Sequence, residues 1–569
     1  MLFPYLEKNS QKKVQSSVFL GLNRTASAGV GEFSDMVNIT SDKYPDISQS
    51  ANLDTVQINA SIKNIQGGIR PPESGEEISG FTGVADGLFY FKDKHIPFAY
   101  PFMKIDKDCE VVLLNYCDMI VILHQMYCYQ YKNTEKNEGV YPLLPGAYDD
   151  YITVKTTGAS GETITLTKAE GTTSWEEMEF RVGDSLMIET DDEKYSSLNV
   201  YRAKDKYDRE KGLNVAYNAL VKSVSEYELR VQMLNYNGRA LGITDTSYEA
   251  INHEFKRTLR VYKRAPLLDC ACIYANRIWG TEKNGECIFT SAPGKPYEFS
   301  KFSGLSTDSW YTEVADEGRF YGIAPLYNGV VAFKERKIYH IFGDRATNFN
   351  IGKEFSNCGC IDKNSIAETD SSIFFAAYDG IYEYYGAKPE NISRKLGILN
   401  YRSVSAFSDG KKLYVSINHE PKIYTYTCDM GLWHIEGAYE IKSGFRYGES
   451  LYFVTSDRLL KQGKNYSADW SVTLCDITED DVLQKGISDI FIRVENFENS
   501  AMYIFVSTND NEFRLCGMAD SPGNYTFRIP VRFIKGDKYS IKISGKGLSY
   551  IKDIQRSFYM GGGAYTRKG

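Results

Sequence analysis

Apolar and polar residues alternate with period two along most of this chain, and short turns break the alternation at regular intervals. The clearest phrases are Asn328–Phe342 (NGVVAFKERKIYHIF), Ser371–Tyr385 (SSIFFAAYDGIYEYY), Asp409–Tyr426 (DGKKLYVSINHEPKIYTY) and Gly448–Leu460 (GESLYFVTSDRLL). Tyr274–Phe289 has the same form, and Gly83–Phe98 and Cys117–Lys132 read as two earlier copies. Each phrase predicts two strands around a small turn, which is half of a four-stranded blade. The phrases return about every 40–50 residues and carry no 3.6-residue stripe, so they point to a β-propeller and not to a helical solenoid.

The rhythm also divides the chain. Residues 1–75 are punctuated by Gly, Asn, Ser and Pro and predict an extended N-terminal arm, which either adds an outer strand to a blade or lies on a neighbouring subunit. Residues 76–146 predict the first blades, ending near Pro142, Pro145 and Gly146. Residues 147–265 interrupt the rhythm and predict an inserted small β-barrel or sandwich, in which Val182, Leu186 and Ile188 point inward around a Gly183–Asp184 turn. Only Ser196–Ser223 holds stretches that could be helical. Residues 266–467 predict the second set of blades. Residues 468–569 alternate with turns every 8–12 residues, which predicts a C-terminal β-sandwich followed by a loose tail at Gly561–Gly563. The fold class expected is therefore all-β.

Composition narrows the function. One core rarely exceeds about 250–300 residues, so a 569-residue chain needs several cores or stacked blades. The 43 Tyr and 30 Phe suit half-buried sheet faces. A net charge of −8 without a basic block argues against tight binding along nucleic acid, and fits solubility, or a lumen that DNA passes without sticking. Met1–Val14 lacks the apolar run of a signal peptide, and no segment reaches the about 18 apolar residues of a membrane helix. The 11 Cys are scattered, and Cys117, Cys128 and Cys287 lie in apolar strands as reduced, buried thiols would.

Few residues invite chemistry. Cys270/Cys272 and Cys358/Cys360 would each put two thiols on one strand face, but no His stands near enough to complete a four-ligand zinc site, so buried free thiols are expected. His95, His124, His253, His340, His419 and His434 are isolated in sequence and fit no metal motif. Thr427, Asp429, Gly431 and Trp433 approximate an Asp-box hairpin, with Asp429 expected to cap the turn, Gly431 to supply positive φ, and Trp433 to pack beneath. No nucleophile elbow, phosphate loop or dinucleotide fingerprint is present. No catalytic, cofactor-binding or metal-binding residue is assigned, and the chain is not expected to be an enzyme.

At residues 274–310 a longer pattern appears: Asn276-Arg277-x-Trp279-Gly280, then Ser291-Ala292-x-Gly294-x-Pro296 followed by Tyr297. It continues through Tyr327–Asp344, Cys358–Ser393 and Met430–Glu436 (MGLWHIE). Near the start, Gly21-Leu22-Asn23, then Gly31-Glu32-x-x-Asp35-Met36-x-Asn38 and Pro45, belong to the same series. In this order the motifs resemble those of phage and prophage tail structural propeller proteins, and more distantly the tail nozzle, or packaged-DNA-stabilisation, proteins of short-tailed phages. The resemblance implies a virion protein of the tail, made in the bacterial host cytoplasm. It implies a homo-oligomeric ring, expected as a hexamer, that extends the DNA channel below the portal and adaptor proteins and docks tail fibres or spikes. Genomic DNA would pass through the lumen without sequence-specific binding. No catalytic residues or cofactors are implied. The competing expectations are a carbohydrate-binding or glycan-hydrolysing propeller acting as a receptor binder, and a host-encoded propeller adaptor.

Overall fold

The computed structural model describes residues 12–560 except 17, 26–28, 73–74, 100–102, 124, 133–137, 144–147, 158–162, 179, 191–197, 201–215, 217, 236–238, 242–253, 264, 283–284, 302–303, 315, 317, 479–483 and 532–534. Nearly all regular structure there is antiparallel strand, with single 3₁₀ turns at Lys363–Ser365 and Arg394–Leu396. No helix among the described residues is long and apolar enough to cross a membrane. The chain is a β-propeller with an inserted barrel and a terminal sandwich. Its residues fall into two compact units, one of Met1–His95, Asp106–Glu110 and Cys358–Gly569, the other of Ile96–Ile105 and Val111–Asn357.

The first unit carries four-stranded blades at 65–96, 367–391 and 404–437, and a further blade at 443–462. The last has only three strands of its own. Its fourth is Leu53–Thr55, which pairs antiparallel with Leu459–Gln462 in the register Leu460↔Thr55. Three successive blades repeat one device, a Phe stacked on a cross-strand Tyr of the next strand, from the second to the third strand in the 367–391 blade and from the first to the second in the other two. The pairs are Phe375/Tyr382, Phe407/Tyr414 and Phe445/Tyr452, with ring centroids 5.8, 5.0 and 5.4 Å apart. Such pairs contribute about 0.5–1.5 kcal/mol beyond their burial. The next blade makes room for one of them, because a Cβ on Gly444 would lie 2.3 Å from the Phe407 ring.

The sandwich of this unit is built from both ends of the chain. One sheet runs Ile39–Thr40, Ile47–Gln49, Ser549–Met560, Lys485–Asn496 and Gly523–Pro530, with Lys12–Ser16 also paired to Ser549–Met560. The other runs Phe33–Val37, Asp469–Leu474, Tyr539–Lys546, Ala501–Thr508 and Arg514–Ala519. Alternation aims Val472, Ile490, Ile492, Val494, Met502, Ile504, Ile541 and Ile543 into the space between them, where all are fully buried.

The second unit holds blades at 113–142, 268–313 and 320–356 and a closed six-stranded barrel. Around the barrel the order is Tyr148–Thr157, Thr163–Thr167, Glu228–Leu234, Asn218–Val224, Ser185–Glu189 and Glu254–Lys263, which returns to the first strand. Ile152, Val154, Ile164, Leu166, Leu186, Ile188, Leu229, Val231, Leu259 and Val261 fill it. Each contributes about 1.5–3 kcal/mol on burial, so the inward set fixes the register.

Three local expectations fail here. Val182 points outward at 66% exposure, because the chain turns at Gly183 (φ +92°) before the inward alternation begins. Cys117 is exposed: it occupies the turn between Leu113–Tyr116 and Met119–Ile122 at φ 51°, not a strand. Cys287 is half-buried, whereas Cys128 is buried. Of the segment considered for helix, residues 218–223 are strand, while 196–197, 201–215 and 217 lie outside the described residues, as does the Gly561–Gly563 tail.

Candidate functional site

The motifs near the N-terminus and the MGLWHIE strand, about 400 residues apart in sequence, fold onto each other. The Trp433 carbonyl accepts the Leu22 N–H at 2.6 Å. A Cβ on Gly21 (φ +79°) would stand 2.8 Å from that same oxygen, so glycine is required for the approach. Leu22 bridges to Phe33, and both are buried with Met36. Glu32 gathers the loop between them: it accepts the Asn23 amide at 2.7 Å and the Gly29 N–H at 2.7 Å, and pairs with Lys395 at 2.9 Å. Burial raises the Glu32 carboxyl, but these donors outweigh it and the net shift is downward. Arg24 reaches Asp35 at 3.2 Å and the Tyr424 hydroxyl at 3.1 Å. Asn38 turns the chain at φ 54° and donates to the Asp469 carbonyl at 2.7 Å.

A charged cluster closes this junction. On the strand Leu432–Gly437, His434 and Glu436 are two residues apart and so share a face. Lys412 comes from the strand Lys412–Ile417 and Thr40 from the N-terminal segment. The Lys412 ammonium donates to Glu436 Oε1 at 2.6 Å and Thr40 Oγ1 at 2.9 Å, and pairs with Asp42 at 2.7 Å. Thr40 Oγ1 donates to Glu436 Oε1 at 2.9 Å, and His434 Nε2 lies 2.9 Å from the same oxygen. The Glu436 and His434 side chains are 4% and 0% exposed. Burial works to raise Glu436, but Lys412 and His434 overcome it and hold the carboxyl far below the usual range. Burial lowers His434; Glu436 opposes this and Lys412 adds to it, so the imidazole stays neutral at ordinary pH. Trp433, packed on Tyr426 at 5.1 Å, anchors the strand by donating from Nε1 to the Ile392 carbonyl at 2.7 Å.

The Asn-Arg-x-Trp-Gly motif is likewise structural. Buried Arg277 donates to the Ser291, Asp308 and Ser306 carbonyls at 2.8, 2.5 and 2.8 Å. Ser291 Oγ accepts the Ile278 N–H at 3.0 Å, and the Asn276 carbonyl accepts the Gly294 N–H at 2.9 Å. A Cβ on Gly280 would meet the Cys270 carbonyl and Leu268 Cδ1, both at 2.7 Å. Trp279 packs edge-on to Phe349 at 4.8 Å and beside Trp310 at 5.8 Å.

Cys270 and Cys272 share a face and are buried in the apolar core between two blades of the second unit. Cys358 is half-buried and Cys360 buried; burial pushes both thiols up to about 12, away from the thiolate form that metals bind. No group of three His, Cys, Asp or Glu suited to a metal occurs among the described residues. Cys360 instead lies 3.1 Å from the Asp362 carbonyl, beside the 3₁₀ turn that Asp362 caps at 3.0 Å from Asn364 N. In the Asp-box-like hairpin, Gly431 has φ +67° and Trp433 is buried as expected. Asp429 does not cap it: its side chain is exposed, and the Thr427 carbonyl accepts the Gly431 N–H at 2.9 Å instead. His340 is buried and stacks on Phe342 at 3.9 Å, and His419 pairs at the surface with Glu440 at 2.6 Å. His95 lies 5.8 Å from Tyr90, while His124 and His253 lie outside the described residues. His434, isolated in sequence, is clustered in space. The His-x-Glu spacing on one strand is the local signal of the cluster, and Lys412 joins it from a different strand.

No known sequence family matches the chain, and no curated protein matches it. Similar solved structures include BamB from Moraxella catarrhalis, at 8% identity over 72% of this chain and 99% of that one, with a TM-score of 0.32. An exo-β-1,3-galactanase from Phanerochaete chrysosporium matches at 10% identity over 50% and 95%, with a TM-score of 0.22. Hsv2p of Kluyveromyces lactis matches at 10% identity over 64% and 95%, with a TM-score of 0.23. At such values the likenesses carry no information on activity, and the propeller rests on the blades themselves.

Proposed function

We propose that this chain is a non-catalytic structural component of a phage virion tail, a ring-forming nozzle or hub that extends the DNA channel below the portal and adaptor and docks fibres or spikes. One observation supports this most. The motifs behind the resemblance to tail propeller proteins are spent on scaffold contacts: Gly21–Asn38 against Met430–Glu436, and Arg277 against the Ser291–Asp308 backbone. Side chains used in this way hold an architecture together, which agrees with a structural role. The net charge of −8 agrees with a lumen that does not retain DNA.

Antibody-gold labelling of particles from the producing strain, viewed by electron microscopy, tests the proposal. Gold on the tail axis or tip is the expected result. Gold on peripheral appendages would favour receptor binding, and intact particles without gold would overturn the virion assignment.

A further inference from the structure

Where the inserted barrel meets the blade at 268–313, three ionisable side chains are buried together. Lys263 ends the barrel strand Glu254–Lys263, and Asp184 precedes the neighbouring strand Ser185–Glu189, in which Leu186 pairs with Lys263. Glu298 comes from the blade. The Lys263 ammonium lies 2.9 Å from Glu298 Oε2 and 3.4 Å from Asp184 Oδ2, and the side chains of Lys263, Asp184 and Glu298 are 4%, 7% and 2% exposed. Each backbone is pinned. Val221 N–H donates to the Asp184 carbonyl, Gly183 N–H to the Val221 carbonyl, and the Glu298 carbonyl takes the Ala292 N–H and the Ser309 hydroxyl.

One cation facing two buried carboxylates is a charge imbalance that water does not relieve, so one carboxyl keeps its proton. The hydrogen bonds say which. Glu298 is the better supplied with donors: Oε1 accepts the Ser300 N–H at 3.2 Å and the Ser300 hydroxyl at 3.1 Å, while Oε2 accepts from Lys263 at 2.9 Å. Asp184 has the Arg181 N–H at 2.9 Å, and burial raises its carboxyl despite Lys263. The result is an amine facing a carboxyl whose acid form burial favours and a second carboxyl placed to act as base, all buried and positioned.

We propose that Lys263 and Asp184 condense into an intramolecular isopeptide bond, with Glu298 moving the protons. The Lys263 ammonium gives one proton to Glu298. The freed Nζ lone pair attacks Asp184 Cγ in its acid form, and the tetrahedral adduct expels its hydroxyl as water after proton transfer through Glu298. A C–N bond forms, a C–O bond breaks, and nothing is oxidised or reduced. One ammonium, one carboxylic acid and one carboxylate become one amide, one water and one protonated Glu298. Proximity of fixed groups supplies the rate, as in any oriented intramolecular reaction, and the product removes a buried ion pair. The amide would tie the turn before Ser185–Glu189 to the end of the inserted domain, independently of the tail assignment.

Intact mass spectrometry of the purified, denatured full-length chain tests this without any variant. The expected mass is lower than that of the sequence by one water. Tryptic digestion should yield residues 182–194 joined through Asp184 to residues 261–264, because cleavage after Lys263 is blocked. Lys263→Arg should restore the full mass, as should Glu298→Gln, which keeps both reacting groups. A wild-type chain of full mass, giving separate linear peptides that contain Asp184 and Lys263, would overturn the proposal. A Glu298→Gln chain still lighter by one water would overturn the role given to Glu298.

Discussion

Replacing Lys412 by Met isolates what the cluster at the N-terminal junction contributes. Methionine keeps most of the aliphatic stem and removes only the ammonium. Glu436 then remains 4% exposed with its charge, having lost its contact at 2.6 Å and keeping His434 and Thr40 at 2.9 Å. Breaking a buried pair from one side costs about 3–5 kcal/mol, and the lower figure applies because two hydrogen bonds survive. Since each 1.4 kcal/mol is a factor of ten, docking of residues 39–50 should weaken roughly a hundredfold. Hydrogen exchange of the amides in residues 19–50, followed by mass spectrometry on the full chain, reads this directly. The loss should also depend on pH. Lys412 is one of the groups that keep His434 neutral, so in the variant His434 can take a proton and replace the missing cation. The deficit should therefore be largest near about pH 8 and smaller near about pH 5.5. Lys412→Met with Glu436→Gln should recover much of the protection. Exchange within threefold of wild type at about pH 8 would refute the idea that this cluster holds the segment.

Other consequences are equally direct. In the wild-type chain His434 is buried neutral, with its folded pKa below the ordinary 6.5, so its contribution is present above that value and lost as pH falls below it; His434→Gln should flatten the pH profile of exchange in residues 19–50 across that window. Gly280→Ala drives a methyl against the Cys270 carbonyl at 2.7 Å and should lower stability by about 1–3 kcal/mol, seen as a reduced Tm, a result that an unchanged Tm would contradict. Phe407→Ala removes a ring stacked at 5.0 Å on Tyr414 and should cost about 3–5 kcal/mol by the same assay. Brief alkylation of the native chain should label Cys117, exposed in its turn, and spare Cys360, whose thiol burial pushes up to about 12; the reverse pattern would contradict the placement of both.

Period-two alternation made the blade hairpins legible. Ser371–Tyr385 holds the strands Ile373–Ala377 and Gly380–Tyr384, and Gly448–Leu460 holds Ser450–Val454 and the start of Leu459–Gln462. Such pairs are local, and their turn chemistry travels with them. What stayed hidden is pairing over long separations. Nothing in Phe33–Val37 specifies Asp469–Leu474 as its partner, since any strand with one apolar face offers the same ladder. The same holds for Thr55 opposite Leu460, where an arm lying on a neighbour was an equal expectation. Alternation does not carry through the Gly183 turn, so Val182 faces outward, and Asp429 is not needed as a cap because the backbone already closes its hairpin. Lys412, Glu436 and His434 looked like ordinary strand residues, since charge burial follows from the docked segment and not from their own strands.

The pairing of the first strands with the last constrains biosynthesis. Val37 faces Ser471 and Lys12 faces Phe558, so the opening residues leave the ribosome long before their partners exist. At about 5–20 residues per second, Val37 waits roughly 20–90 s for Ser471 to be made. Through that interval it presents an apolar edge without a ladder, which is the condition under which nascent chains pair wrongly or recruit chaperones. The same geometry sets Lys12 beside Phe558 on one sheet. A circular permutant that links them through a short spacer and opens at the exposed Cys117–Asp118 turn would deliver the paired strands consecutively, and should fold faster than the natural order of the chain.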